Sequence, residues 1–267
     1  NAPDTRLFVC SEFGGFHVTI SMFSIRRMAM LGLVGGVAFG LSACQSLSLD
    51  RGSFGGFKRS LNTTSHGYQQ VPDPTGTAST AIVERFEVQP GDCGRDSGWS
   101  DCAQDRERSE LSEGSDNHAG STYWYSWDIY FPDDYPNIYP TKTALGQFHQ
   151  HKSHPVWMFQ NGDGGYSLDD QVFGSTRRYY KLISEKDLRG KWHRIELQVK
   201  WGRNKDGFFK VWVNGDQKVD YTGTTLRSSA TYFKYGIYRS FMSRYRAVKK
   251  VEDVPGQIVY YANVRRA

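Results

Sequence analysis

Three short stretches of the chain place chemically capable side chains at every second position. Arg106-Glu107-Arg108-Ser109-Glu110-Leu111, if extended, puts Arg106, Arg108 and Glu110 on one side. Gln147-Phe148-His149-Gln150-His151 groups Gln147, His149 and His151 and turns Phe148 away. Tyr232 to Tyr238 groups Tyr232, Lys234, Gly236 and Tyr238, with Phe233, Tyr235 and Ile237 opposite. Arginine is a rigid cationic fork and glutamine an amide that can donate, so both suit an anion. Histidine and tyrosine can take up or release a proton. Gly236 withholds a side chain where a ligand or another backbone could approach. Each cluster alone has an ordinary explanation: Arg108 and Glu110 as a surface ion pair worth under about 1 kcal/mol, Tyr238 as a half-buried strand tyrosine. Three such strands in one chain describe a polar groove rather than a packed layer.

The surrounding sequence is built of strands. Tyr123, Tyr125, Trp127, Ile129 and Phe131 share one face and end at Pro132. Ile195, Leu197, Val199 and Trp201 alternate with Arg194, Glu196, Gln198 and Lys200. Phe209, Val211 and Val213 lead into Asn214-Gly215, a strong hairpin signal. Ser184–Arg189 reads as a brief helical turn. The 267 residues include 16 Phe, 16 Tyr, 7 Trp and 28 Gly, with mean hydropathy −0.59, which disfavours coiled coil, collagen and wholesale disorder. The expected fold is all-β: a jelly-roll, concanavalin-like sandwich of two antiparallel sheets with a polar concave groove. Net charge is +5, from 33 Lys and Arg against 28 Asp and Glu. That is too mild for a nucleic-acid binder, and no DNA or RNA motif is present.

The first residues read as an address. Residues 1–21 precede Met22, the better start; 22–43 carry Arg26-Arg27 and the short apolar run Met28–Gly40 of a signal peptide. Leu41-Ser42-Ala43-Cys44 resembles a bacterial lipobox, with Cys44 lipidated and Gln45 matching outer-membrane sorting. Residues 44–78, rich in Ser, Thr, Gly and Gln, are expected to be a tether with an edge strand near Phe54–Leu61; the domain proper is 79–267. Membrane contact is expected through the lipid anchor only. Cys93 and Cys102 remain for a disulfide in an oxidising compartment, contributing about 2.5–3 kcal/mol. No metal is assigned: His149, His151 and His154 lack a carboxylate or Cys at suitable spacing. A Ca²⁺ ion at Asn161–Gly165 or Asp169-Asp170 finds no recognisable ligand spacing, and Asn161–Gly165 reads as a plain turn in preference to a flexible loop.

Arg108-Ser109-Glu110-Leu111, Gln147-Phe148-His149 and Tyr232-Phe233-Lys234-Tyr235-Gly236-Ile237-Tyr238 resemble the signature strands of jelly-roll polysaccharide lyases. Alginate lyases of that fold carry Arg-Thr-Glu-Leu, Gln-Ile-His and Tyr-Phe-Lys-Ala-Gly-x-Tyr. The run from about Ser79 to Val264 is more similar still to the group of glucuronan lyases and heparin lyase I. The Cys93–Cys102 loop, Tyr123–Pro132, Trp192-His193-Arg194, Trp212-Val213-Asn214-Gly215 and Gly236-Ile237-Tyr238-Arg239 support this. Phe148, where alginate lyases usually have Ile or Val, departs from the alginate pattern.

The resemblance implies β-elimination of a uronate chain, removing the C5 proton and expelling O4. Arg108 and Gln147 would neutralise the carboxylate, with Glu110 holding Arg108. Tyr238 would be base and acid, with His149 as helper or alternative base. Lys234, Arg239, Arg106, His151 and Arg178 are candidate substrate contacts. Trp124, Tyr125, Tyr166 and Tyr180 could stack on sugars or fill the core, and Arg177, Lys181 and Arg244 could meet flanking carboxylates. No cofactor is required. The expected partner is an acidic polysaccharide, first a β-1,4-glucuronate polymer and then alginate, acted on by an exported monomer. A glycoside hydrolase lacks its paired carboxylates here. A non-catalytic acidic-polysaccharide-binding lipoprotein would use the same groove.

Overall fold

The computed structural model describes residues 56–267 apart from 152 and 175, together with the antiparallel pair β1 (Leu7–Phe8) and β2 (Ser46–Leu47). The expected signal peptide at 22–43 and the lipidation site Cys44 lie outside the described residues. The chain divides into two compact units, Asn1–Ser48 and Leu49–Ala267. No helix among the described residues is long and apolar enough to cross a membrane.

The second unit contains β3 (Phe57–Arg59), β4 (Tyr68–Pro72), β5 (Ile82–Val88), β6 (Arg106–Glu113), β7 (Asn117–His118), β8 (Thr122–Tyr130), β9 (Lys142–Gln150), β10 (Pro155–Gly162), β11 (Gly165–Asp170), β12 (Arg178–Ser184), β13 (Trp192–Lys200), β14 (Gly207–Val213), β15 (Asp216–Gly223), β16 (Ala230–Ser240), the helix α1 (Met242–Lys249) and β17 (Gln257–Arg266). They form two sheets with antiparallel pairing. One runs β12-β11-β10-β9-β16-β6-β3, with β7 beside β16; the other runs β15-β14-β13-β8-β17-β5-β4. The chain passes repeatedly from one sheet to the other, which makes the jelly-roll sandwich.

Alternation explains the layers. In β13, His193, Ile195, Leu197 and Val199 are buried while their neighbours are only partly so. Asn214 and Gly215 turn the β14–β15 hairpin with φ of 53° and 87°, the left-handed pair that a two-residue turn needs. Across the interior, Trp157 of β10 stacks on Phe209 of β14 at 4.0 Å, and Phe86 of β5 meets Tyr235 of β16 edge-on at 5.4 Å. Each side chain so buried contributes about 1.5–3 kcal/mol.

Several expectations change. The expected edge strand near Phe54–Leu61 is β3, paired with β6, but the supposed tether also carries β4, paired with β5, so the sandwich begins well before residue 79. Polar composition there reflects sheet-edge strands. Helix α1 was not expected; only Met242 is buried in it, so it has no apolar stripe to betray it. Tyr125 and Tyr166 are core residues, Tyr180 packs against the core, and Trp124 stacks on Trp212 in the second sheet at 5.5 Å. Residues 163 and 164 form a tight β10–β11 turn closed by Gly162 opposite Gly165.

Of its two expected uses, room for a ligand or for another backbone, Gly236 shows the close approach of a neighbouring backbone. Its φ is +119°, and an added Cβ would lie 2.4 Å from the Ser109 carbonyl oxygen and 2.7 Å from the Phe86 ring. It sits where the β16–β9 register shifts between Tyr235 and Tyr238, a bulge that bends the strand beside the groove. Gly236→Ala should therefore cost about 2–4 kcal/mol, from left-handed strain and overpacking together. Thermal unfolding should show a midpoint lowered by several degrees; an unchanged midpoint would contradict the bulge packing.

Candidate active site

β6, β9 and β16 lie side by side in one sheet, so their outward residues meet. Lys234 is opposite Gln147 on one flank of β16 and Ser112 on the other, and Tyr238 is opposite Arg108. Arg108, Gln147, His149, Tyr232, Lys234 and Tyr238 line one cavity of about 570 Å³. All four side chains expected to carry the chemistry thus share one space.

Arg108 is nearly buried, and burial works against its charge. The hydrogen bonds that Arg108 donates to Asp101, with the charges of Glu110 and Asp101, more than offset this, so its pKa is raised. Nε and Nη2 of Arg108 each donate to the Asp101 carboxylate at 2.6 Å, a two-pronged pairing. Nη1 reaches Ser60 Oγ at 3.4 Å and Glu110 at 3.5 Å, both long, so that edge faces the cavity with its donors weakly engaged. The guanidinium carbon lies 4.5 Å from the centre of the Tyr238 ring.

Glu110 is not the principal holder of Arg108, as was expected. It accepts from Lys234 Nζ at 2.6 Å and from Gln147 Nε2 at 2.5 Å. Arg108 turns its Nε and Nη2 to Asp101 instead, which leaves the Glu110 carboxylate to Lys234 and Gln147. Glu110 therefore lies 4% exposed beneath the groove, binding β16 and β9 to β6. Burial lowers the pKa of Lys234, and the Glu110 charge counters it. Gln147 has one amide proton on Glu110, and its Oε1 has no partner among the described residues.

His149 Nδ1 lies 2.7 Å from the Gln150 carbonyl oxygen. A carbonyl can only accept, so Nδ1 carries the proton and neutral His149 has its lone pair on Nε2. Burial and the nearby Lys234 charge push its pKa down to about 4. Tyr238 is half-buried, and burial raises its pKa while Arg108 pulls it down. At neutral pH the pocket thus holds a neutral imidazole and a protonated phenol.

Other expected contacts lie elsewhere. Arg239 is 0% exposed, bonded to Glu107 and the Pro255 carbonyl on the face opposite Tyr238; adjacent strand residues point opposite ways, so it is no groove residue. Arg178 faces the Tyr221 ring at 5.7 Å, whereas its neighbour Tyr179 faces the groove sheet's second cavity. Arg106 stacks on Phe241 at 4.1 Å and lines a separate cavity beside the disulfide, though its charge still lowers the Tyr238 pKa. His151 is exposed, its Nε2 2.7 Å from Asp116 and its ring 5.0 Å from Tyr232. Lys142, Lys181 and Arg244, with exposed Tyr139 and Tyr179, line the second cavity, of about 500 Å³. Asp169 faces Arg177 at 3.4 Å while Asp170 accepts from the Val172 amide, so the two adjacent carboxylates serve different partners. Among the described residues no three His, Cys, Asp or Glu side chains converge as a metal site.

Cys93 and Cys102 are bonded, with Cα atoms 5.3 Å apart. Sequence reasoning missed Asp101, which that disulfide carries, and the neighbouring Trp99 in the cavity wall. The only signal was the general rule that a buried arginine needs a carboxylate.

Fold and groove together define a jelly-roll sandwich whose concave face holds charge-paired, proton-active groups. The chain belongs to the polysaccharide lyase family: the family model described as "Polysaccharide lyase" matches residues 49–265. It is accordingly an enzyme, a polysaccharide lyase. No curated protein sequence matches it. Among solved structures, an endo-β-1,4-glucuronan lyase from the fungus Trichoderma reesei is 16% identical over 77% of this chain and 89% of that one, with a TM-score of 0.55. The family 7 alginate lyase A1-II′ with a bound product is 15% identical over 80% and 96%, TM-score 0.55. The family 7 alginate lyase AlgAT5 is 18% identical over 76% and 83%, TM-score 0.51. At these identities the likeness is one of fold.

The Glu110–Lys234 pair gives a stability test. Glu110→Ala should cost about 3–5 kcal/mol, because it leaves Lys234 charged and buried without a partner. Glu110→Leu combined with Lys234→Met should cost clearly less than the sum of the two single changes. Denaturant unfolding of the cycle measures this, and strict additivity would contradict the pairing.

Proposed function

We propose that the protein cleaves a uronic-acid polysaccharide by β-elimination, with a β-1,4-glucuronate polymer as first candidate and alginate second. The observation that carries this reading is the shared cavity of Arg108, Gln147, His149 and Tyr238. The C5 proton of a uronate is barely acidic while the adjoining carboxylate keeps its charge. The Nη1 edge of Arg108 and the second amide proton of Gln147 would bind that carboxylate and stabilise the enolate as it forms. In a D-glucuronate unit H5 and O4 lie on the same ring face, so one residue can serve both. Tyr238, as phenolate, would take H5; the C4–O4 bond breaks as the C4–C5 double bond forms, and the phenol returns the proton to the departing O4. Arg108 against the ring would favour the phenolate.

A second reading rests on a specific observation, the lone pair on neutral His149 Nε2. His149 would then take H5 and protonated Tyr238 would supply O4. This arrangement suits units whose H5 and O4 lie on opposite faces.

The experiment is a panel of acidic polysaccharides, assayed for the ultraviolet-absorbing unsaturated product. Tyr238→Phe should abolish that product while binding persists, and full activity in the variant would refute the assignment. Under the Tyr238 route, His149→Ala retains turnover and the wild-type rate climbs towards alkaline pH as phenolate forms. Under the His149 route, both variants are inactive, and the rate rises through about pH 4 as the imidazole loses its proton, then levels off. An inflection near 6.5 would mean an imidazole in ordinary surroundings and would contradict the burial of His149.

The proposal includes export as an outer-membrane lipoprotein with lipidated Cys44, acting as a monomer. Mass spectrometry of the mature chain should find a diacylglyceryl-modified N-terminal Cys44. A mature chain retaining Met28–Gly40 would overturn it.

A further inference from the structure

The hairpin closed by Cys93 and Cys102 belongs to none of the three motif strands, yet it walls the cavity. Its ladder consists of the Asp96 amide donating to the Trp99 carbonyl, an Arg95–Ser100 bridge, and the Asp101 amide donating to the Gly94 carbonyl. Gly94 lets it press against the preceding segment: an added Cβ there would stand 2.5 Å from the Leu61 Cβ and 3.0 Å from the Asn62 amide nitrogen. Asn62 in turn donates to the Arg108 carbonyl at 2.6 Å. The hairpin is therefore held by a covalent bond, its own ladder and close backbone contact.

Asp101 is fully buried and accepts four hydrogen bonds. Oδ2 takes the Gly94 amide at 3.0 Å and Arg108 Nε at 2.6 Å; Oδ1 takes Arg108 Nη2 at 2.6 Å and Trp99 Nε1 at 2.7 Å. One carboxylate thus sets the positions of a guanidinium and an indole that line the same cavity. Trp99 is 41% exposed although large and apolar, and its N–H is already satisfied, so what it offers the cavity is ring surface. Ring surface on a polar groove wall matches the C–H face of a pyranose, and a rigidly held indole loses little freedom when one docks.

We infer that Trp99 is a stacking platform for a pyranose ring of the polysaccharide, and that Asp101 is a positioning residue fixing that platform relative to Arg108. This rests on the groove being the polysaccharide site proposed above. The platform acts in binding, whereas Asp101 acts through Arg108 on the reacting unit, so the two should separate kinetically.

Kinetics and binding are measured with oligoglucuronate and oligomannuronate, binding in a Tyr238→Phe background so that no turnover intervenes. Trp99→Ala should raise KM and weaken binding about tenfold, with kcat changed less than about twofold; Trp99→Phe, which keeps a ring, should recover most of the binding. Asp101→Asn should lower kcat about a hundredfold, since removing one partner strands the buried Arg108 charge, while Asp101→Glu should recover part of it. In the wild-type protein, bound oligosaccharide should protect Trp99 from N-bromosuccinimide oxidation as read by peptide mass spectrometry, which needs no variant to fold. Unprotected Trp99 with unchanged KM in Trp99→Ala overturns the platform, and unchanged kcat in Asp101→Asn overturns the positioning role. If no polymer yields unsaturated product, the lyase reading fails, while protection and binding still decide the platform.

Discussion

A charged side chain can sit in a nearly dry groove wall only where an opposite charge meets it closely, because an unpaired buried ion costs several kcal/mol. Most of the site follows from that constraint. Arg108 is met by Asp101, Lys234 by Glu110, and Arg239, behind the sheet, by Glu107. Each pairing also joins separate pieces of chain. Asp101 ties the disulfide hairpin to β6; Glu110 ties β6 to β16 and, through Gln147, to β9. Neutralising the charges and positioning the groups are one requirement met by the same contacts. The cavity is consequently rigid in the directions that matter for an anionic ligand, and its hydrogen-bonding edges are set before anything binds.

The second requirement is that one sheet be apolar on one face and polar on the other. Alternation turns Phe148 of β9 into the core between Gln147 and His149, and Leu111 of β6 inward next to Glu110. β16 must do more, since it carries Tyr232 and Lys234 at one end of the cavity and Tyr238 at the other. The bulge after Tyr235 lets it bend, and Gly236 keeps the bend compact by admitting the Phe86 ring and the Ser109 carbonyl. A glycine that in sequence could make room for a ligand or for another backbone therefore makes room for the backbone, in the packing beside the cavity.

How much was legible in the sequence depends on whether the determining relation is local. Period-two alternation is local, so β8, β13, β14 and the Asn214-Gly215 hairpin were readable, as was the grouping of Gln147 with His149 and of Lys234 with Tyr238. Adjacency across strands is not local. Glu110 two residues from Arg108 looked like its partner, whereas Asp101, brought close by the hairpin, has the better approach. Arg239 and Arg178 look like useful cations in a list of residues, but position parity turns both away from the groove. Trp99 and Asp101 carry no periodic signal at all, because they belong to a hairpin whose shape is set by a disulfide. The edge strand β3 was readable near Phe54–Leu61, whereas β4 was hidden by polar composition, which sheet edges tolerate.

The distribution of charge also revises what the mild excess of cations means. Around the Tyr238 cavity the two nearest cations are largely neutralised by Asp101 and Glu110, so that space is not strongly positive; it offers directed donors instead. Less compensated cations lie farther along the same sheet, where exposed Lys181 and Arg244 with half-buried Lys142 line the second cavity beside Tyr139 and Tyr179. Attraction of a polyanion and stabilisation of one developing charge place opposite demands on a cation. The first favours solvent-accessible charge acting over a distance that salt screens within about 8 Å. The second favours a donor already aimed and partly desolvated, whose effect grows as water is excluded. Placing these two kinds of cation in neighbouring cavities of one sheet lets each be set by its own surroundings, and a net charge of only +5 therefore conceals a locally cationic stretch of that sheet.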